Sequence, residues 1–196
     1  MKKQTGVQIG MILLLPLILG WTMGGKNLLR NGDFEKFTGD EPDGWVTTNI
    51  PKTLTVVSAA PGNSHGKWSV RCDVKPFYGT QIAGMIIQKN IPISGASAAL
   101  TGSYSMSSVG GDIGYVTMEM RNAEGSSVRV CQDYLPATGG AWKTFTLSGS
   151  LPAEVVSAEL RLTILGGKAS ESIHEGSWIT FDDLALVAGD DSKPGV

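Results

Sequence analysis

The segment Tyr115–Arg121, YVTMEMR, alternates strictly, with Val116, Met118 and Met120 on one side of an extended chain and Tyr115, Thr117, Glu119 and Arg121 on the other. A period of two marks a strand with one buried face. The first set reads as core, and the second as a face meeting solvent or ligand. Gly110-Gly111-Asp112 precedes the segment and Asn122-Ala123-Glu124-Gly125 follows it, so turn chemistry closes both ends. Working outward, similar runs occur at Asn27–Arg30, Trp45–Asn49, Thr53–Ser58, Trp68–Val74, Ile82–Ile93, Ala98–Ser105, Ser127–Tyr134, Lys143–Ser148, Ala158–Ile164 and Trp178–Val187. Pro61-Gly62-Asn63 and Gly139-Gly140 supply further turns. Many short runs at regular spacing predict an all-β sandwich or barrel. In Ile82–Ile93, alternation groups Ile87, Ile91 and Ile93 on one face, with Gln88 and Asn90 on the other. Such half-polar strands suit antiparallel sheets with one buried face. The sequence shows neither an amphipathic helix of useful length nor an internal repeat.

Composition agrees. The 196 residues fit one domain plus short ends, and 26 of them are Gly, which favours strands joined by turns. With 41% hydrophobic and 17% charged residues the chain reads as folded, and a net charge of −2 without a basic stripe argues against a nucleic-acid partner. Lys2 and Lys3 followed by the apolar run Ile9–Gly20 have the proportions of a signal peptide over residues 1–25, or of an uncleaved N-terminal anchor. Export to the cell surface, the periplasm or the medium follows, with no membrane span in the mature chain. The expected domain covers residues 26–188, and residues 189–196 read as a frayed tail. Export permits a disulfide between Cys72 and Cys131, while two buried free thiols fit equally well.

Two segments at opposite ends of the domain go further. Asn27–Glu35, NLLRNGDFE, is followed by Asp43-Gly44-Trp45, and the last run Trp178–Val187 reads WITFDDLALV. Between them lie Ser64-His65-Gly66-Lys67-Trp68-Ser69-Val70, Gln88 before Ile91-Pro92-Ile93, and Ala141-Trp142-Lys143-Thr144-Phe145. Together these resemble the carbohydrate-binding modules of families four, nine, sixteen and twenty-two. The resemblance implies a galactose-binding-like jelly roll of two antiparallel sheets and a poly- or oligosaccharide partner. It also implies that the first and last strands are neighbours, which lets Glu35 approach the Asp182-Asp183 pair. Alternation places Asp182 inward with Leu184 and Leu186. Converging carboxylates need a cation or a proton, and the resemblance implies a structural Ca²⁺ held by Glu35 and Asp182, completed by carbonyls of the Asn63–Lys67 loop. Alternatively, the two carboxylates accept backbone hydrogen bonds at strand ends.

Saccharide recognition needs aromatic faces against pyranose C–H groups and planar polar side chains for hydroxyls. The candidates on non-core strand faces are Gln88, Tyr115, Glu119, Arg121 and Tyr134, the last preceded by Gln132. Glu119 and Arg121, two residues apart, also suit a simple ion pair. Tyr78 in Phe77-Tyr78-Gly79 is a loop alternative, and Trp68 and Trp178 are less determined. Phe34, Trp45, Trp142 and Phe145 read as core. Few Trp residues fall on the expected cleft, which disfavours a crystalline-polysaccharide platform. Catalysis is not expected: the two histidines, His65 and His174, lie in Gly- or Ser-rich loops, and no nucleophile motif or phosphate loop occurs. A glycan-active enzyme and an extracellular structural or protein-interaction sandwich remain the alternative functions, because one fold hosts many.

Overall fold

A computed structural model describes residues 25–63, 66–167 and 172–189. The leader through residue 24, His65 and the tail from residue 190 lie outside the described residues.

The described residues form strands and turns without a helix. In chain order the strands are β1 (Phe37–Thr38), β2 (Glu41–Pro42), β3 (Val46–Thr47), β4 (Val57–Pro61), β5 (Trp68–Phe77), β6 (Thr80–Ala83) and β7 (Ile86–Pro92). There follow β8 (Ser97–Ser107), β9 (Ile113–Arg121), β10 (Ser127–Leu135), β11 (Lys143–Ser150), β12 (Ser157–Leu165) and β13 (Trp178–Gly189). One large sheet has the order β10-β9-β12-β7-β3; the second runs β11-β8-β13-β5-β4, with β6 attached to β5, and β1 and β2 pair as a separate two-stranded sheet. The ladders are antiparallel. The non-sequential order, with β13 between β8 and β5, is that of a jelly roll, and the expected all-β sandwich of two antiparallel sheets is what forms.

The core lies between the sheets. Val116, Met118 and Met120 of β9 and Leu160, Leu162 and Ile164 of β12 meet Leu100 and Met106 of β8 and Ile179, Phe181, Leu184 and Leu186 of β13, all of them buried. The alternation of Tyr115–Arg121 therefore holds as expected. Phe34, Trp45 and Phe145 are core residues too, with the Phe34 and Trp45 rings 5.4 Å apart. Trp142 departs from expectation: it is half-buried and precedes β11 in phase with Thr144, on the outer side of its sheet.

The first motif does not form a regular strand over Asn27–Arg30. The segment lies beside β13 and is fastened by a mixture of bonds. Leu28 N donates to Leu186 O, Leu184 N donates to Gly32 O, and the Asn27 amide brackets β13 by donating to Leu184 O and accepting from Leu186 N. A Cβ on Gly32 would collide with the Leu184 carbonyl, which explains the glycine of the motif. Asn31 orders the following loop: its side chain bonds Lys36 and Asp43 backbone groups, and its carbonyl accepts the Trp45 indole N–H.

Two bulges change which residues face the core. In β7, Ile91 pairs with Ala158 and Gln88 with Leu160, so Lys89 and Asn90 oppose the single residue Glu159, and Asn90 has φ 53°. An extra residue reverses the facing of everything before it. Ile86 and Gln88 therefore point inward, and Ile87 is turned out. The expected Ile82–Ile93 strand also breaks at Gly84-Met85, where the chain passes too close to the Val56 carbonyl for a Cβ. In β13, Asp182 pairs with Ser103 and Ala185 with Thr101, and Asp183 has φ 51°. Asp182 consequently shares the outer face with Thr180 and not the core face with Leu184, contrary to the sequence reading. It is nevertheless buried.

Cys72 lies in β5 and Cys131 in β10, strands of different sheets, and both thiols are free. Among the described residues no helix is long and apolar enough to cross a membrane.

Candidate functional site

The outward face of the five-stranded sheet is set by the pairing register. A row of direct neighbours crosses all five strands: Gln132 on β10, Thr117 on β9, Arg161 on β12, Ile87 on β7 and Val46 on β3. At strand spacings near 4.8 Å this row is about 19 Å long. A flanking row places Tyr134 beside Tyr115, and Tyr115 beside Thr163. The row on the opposite flank runs Val130, Glu119, Glu159.

The chemistry of this face divides into an aromatic end and a charged centre. The Tyr115 and Tyr134 rings lie 5.2 Å apart at 38°. The Tyr115 hydroxyl donates to Gln132 Oε1 at 2.8 Å, and Gln132 Nε2 lies 3.5 Å from the Tyr134 hydroxyl. Tyr134 is half exposed. Partial burial, and the neighbouring Tyr134, raise the Tyr115 phenol above its ordinary range, so it stays a neutral donor at physiological pH. In the centre, Arg121 bonds Glu119 at 2.8 Å and Arg161 bonds Glu159 at 2.6 Å, with cross-contacts of 3.6 and 3.7 Å closing a four-membered ion network. Two positive and two negative groups cancel. Glu159 is buried within the network, whereas the Arg161 side chain is 45% exposed.

Of the sequence candidates, Tyr115, Tyr134, Glu119 and Arg121 are thus brought onto one surface. The ion pair that Glu119 and Arg121 suited is present, extended by Arg161 and Glu159. Gln88 is not on this surface. It is 1% exposed, accepts from Arg30 N at 3.0 Å and donates to Arg30 O at 2.9 Å, and so fastens the first segment to the sheet. Sequence reasoning missed the β12 contribution of Glu159, Arg161 and Thr163. The signal was available, because Ala158–Ile164 alternates as cleanly as β9, and only the pairing of β12 between β9 and β7 gives it importance. Tyr78 stands on the β5–β6 hairpin tip, 92% exposed and stacked edge-on against Phe77. Trp178 is covered by the Arg71 guanidinium, 4.4 Å from its ring centre.

The carboxylate site lies on the other sheet. Asp182 is 1% exposed; its Oδ2 accepts from Asn63 N and its Oδ1 from Asp183 N, each at 2.8 Å. Glu35 Oε1 accepts from Lys67 N and Trp68 N at 2.8 and 2.9 Å. Burial raises the Asp182 carboxyl above the usual carboxylate range; the two backbone donors pull against this, and the Asp183 and Glu35 charges add to it. Neither Glu35 nor Asp182 forms an ion pair among the described residues. No cluster of three or more His, Cys, Asp or Glu side chains suited to a metal occurs among them either. Residues 64 and 65 of the expected carbonyl-donating loop lie outside the described residues. The oxygen-only donors present nonetheless suit a hard cation.

His174 is bound into the sandwich rim. Its Nδ1 lies 2.8 Å from Asp112 Oδ1, and its backbone N–H donates to Asp112 Oδ2 at 2.8 Å, joining the β8–β9 turn to the segment before β13.

No family model matches the chain, and no curated protein matches it. Solved structures do. A family 61 carbohydrate-binding module in complex with β-1,4-galactotriose matches with a TM-score of 0.57 at 14% identity, over 83% of this chain and 99% of the other. A family 16 carbohydrate-binding module matches at 0.55 and 17% identity, over 82% and 99%. The enzymatically active domain of tailspike protein 4 of bacteriophage CBA120 matches at 0.59 and 15% identity, over 82% of this chain; the chain spans only 21% of that protein's length. The β-sandwich jelly roll of this chain is therefore the fold of carbohydrate-binding modules, as the sequence resemblance implied.

Proposed function

We propose that the protein is an exported, non-catalytic domain that binds a poly- or oligosaccharide along the outward face of its five-stranded sheet. The observation that carries this reading is the open row from Gln132 to Val46, flanked by the paired Tyr115 and Tyr134 rings. Tyrosine combines an apolar ring with a polar tip, which suits the C–H and O–H edges of a pyranose. Gln132, Arg161 and Thr117 supply planar and hydroxyl groups beside it. The ion network cancels its own charge, so the face suits a neutral glycan. A row of about 19 Å at normal strand spacing accommodates a short stretch of chain lying across the strands.

Glu35 and Asp182 hold a structural Ca²⁺ in this reading. When bound, the ion would supply charge compensation to two carboxylates that form no ion pair among the described residues. It lies on the sheet opposite the tyrosines and so takes no part in sugar contact at the tyrosine face.

Support for a binding role over catalysis comes from the engagement of the reactive groups. His174 is held by Asp112, and Glu159 is buried between two arginines. The test is binding of soluble neutral polysaccharides in affinity gels, with Tyr134→Ala and Arg161→Ala as site variants. Retardation that both variants abolish supports the reading. Turnover of the polysaccharide, or binding indifferent to both variants, overturns it.

A further inference from the structure

The outer face of the six-stranded sheet carries a hollow of about 570 Å³, lined by Asn63, Ser103, Trp142, Lys143 and Thr144. Its volume falls in the range of small-ligand sites, roughly 300–1,000 Å³. The register explains how it forms. Thr144 pairs with Ser103, and Ser103 with Asp182, so the floor is a transverse row of outward polar groups. Trp142 stands at one edge, and the turn carrying Asn63, tied down by the Asn63 N–H to Asp182 bond, stands at the other.

Trp142 is the unusual member. The remaining described tryptophans are occupied: Trp45 packs on Phe34 and donates to Asn31 O, Trp178 lies under Arg71, and Trp68 lies under Lys67. Among the described residues Trp142 has neither a ring partner nor an acceptor for its indole N–H. A half-buried indole without partners, facing hydroxyls and an amide-bearing residue across a hollow, has the parts of a pyranose seat. Of the five residues lining the hollow only Lys143 is charged, so the lining carries a single cation and not the cationic cluster that suits an acidic glycan.

We infer that the hollow between Trp142 and Asn63 is a second saccharide site, for a neutral sugar residue, on the face opposite the paired tyrosines. Two sites on opposite sheets let one domain touch two chains or two parts of one branched chain. The combined avidity exceeds that of either site when both engage the same insoluble glycan.

The test is residue-resolved NMR of the whole chain titrated with β-1,4-galactotriose, cellotriose and xylotriose. The expected result is movement of the Trp142 indole resonance and of the Ser103 and Thr144 amides with at least one sugar. That movement persists in a Tyr115→Ala/Tyr134→Ala chain, and the affinity read from the Ser103 amide falls tenfold or more in Trp142→Ala and Thr144→Ala. Trp142→Phe keeps an aromatic face and retains part of the affinity, which separates lost contact from a lost fold. A Trp142 resonance unmoved by all three sugars overturns the second site, whether or not the tyrosine face responds. So does a shift that disappears with the tyrosine substitutions. Failure of the tyrosine face alone, with Trp142 still responding, overturns the first proposal and leaves this one standing.

Discussion

The side-chain amide of Gln88 pairs with both backbone groups of Arg30, accepting from its N–H at 3.0 Å and donating to its carbonyl at 2.9 Å. A strand residue thereby imitates a ladder partner for a segment that is not itself a strand. Substituting Gln88→Leu leaves a backbone donor and an acceptor of Arg30 without partners in a part-buried place, at a cost of up to about 1–3 kcal/mol each. The expected outcome is a fall in unfolding free energy of about 3 kcal/mol with an unchanged urea m-value. Saccharide affinity, measured where the variant is folded, stays within twofold of the parent. A tenfold loss of affinity in folded Gln88→Leu would restore Gln88 to the binding surface.

The Asp182 carboxyl gives a pH prediction. Its folded-state pKa is raised, first by burial and then by the neighbouring Asp183 and Glu35 charges. The metal-free fold therefore holds this proton more tightly than the unfolded chain does. The corresponding stability is fully present below the ordinary Asp value of about 3.9 and is lost as pH rises through the raised value. Calcium acts in the opposite sense, because it binds the deprotonated group. Added CaCl₂ at pH 7 should raise Tm, and its effect should fade as pH falls through the Asp182 titration. Glu35→Gln and Asp182→Asn should each abolish the calcium increment. An identical Tm in millimolar calcium and in chelator at pH 7 contradicts the ion site.

The Cys72 thiol is expected to be silent in the folded protein. Burial pushes the Cys72 thiol far above its usual range, with Asp73 adding to the effect. Thiolate is the reactive form, so Cys72 should resist an aromatic disulfide reagent in native buffer and react fully in urea. A reducing agent should leave Tm unchanged. A Tm that falls on reduction would mean that the strands bearing Cys72 and Cys131 approach one another.

Most of the fold was legible in the sequence because strand alternation and turn residues are local signals. Tyr115–Arg121 was read correctly as to both faces, and four of the residues singled out there and on β10 do share a surface. The two reversed faces have one physical origin. A bulge is a single extra residue, and Asn90 and Asp183 adopt positive φ; Asn and Asp tolerate this region best after glycine, but they are too common elsewhere for identity alone to announce the reversal. Gln88 and Asp182 were each placed on the wrong side of their sheets for that reason. Glu159 and Arg161 were overlooked because their importance arises from strand order, with β12 between β9 and β7, and strand order is non-local. The Asn27–Glu35 motif was recognised as a pattern, while its content, side-chain brackets in place of a ladder, required the partners across the sandwich.

The interface energetics follow from exposure. Tyr134 is the more exposed ring of the pair, and Arg161 is the most exposed member of the ion network. Each should cost at least tenfold in affinity when truncated to Ala, about 1.4 kcal/mol. Glu119→Ala should act differently, since it leaves two arginines facing Glu159 alone and the face with one net positive charge. The expected sign is improved binding of acidic polysaccharides with a marked salt dependence, read by affinity electrophoresis at low and high ionic strength. Salt-independent binding by Glu119→Ala would contradict the self-cancelling network.

The most direct measurement is isothermal titration of the whole chain with a panel of soluble neutral glycans, repeated with Tyr115→Ala/Tyr134→Ala. The account predicts saturable heat with at least one glycan and an affinity at least tenfold lower in the double variant of unchanged Tm. A folded parent that binds none of the panel, or a double variant that binds as the parent does, would contradict the claim that the five-stranded face is a saccharide-binding surface.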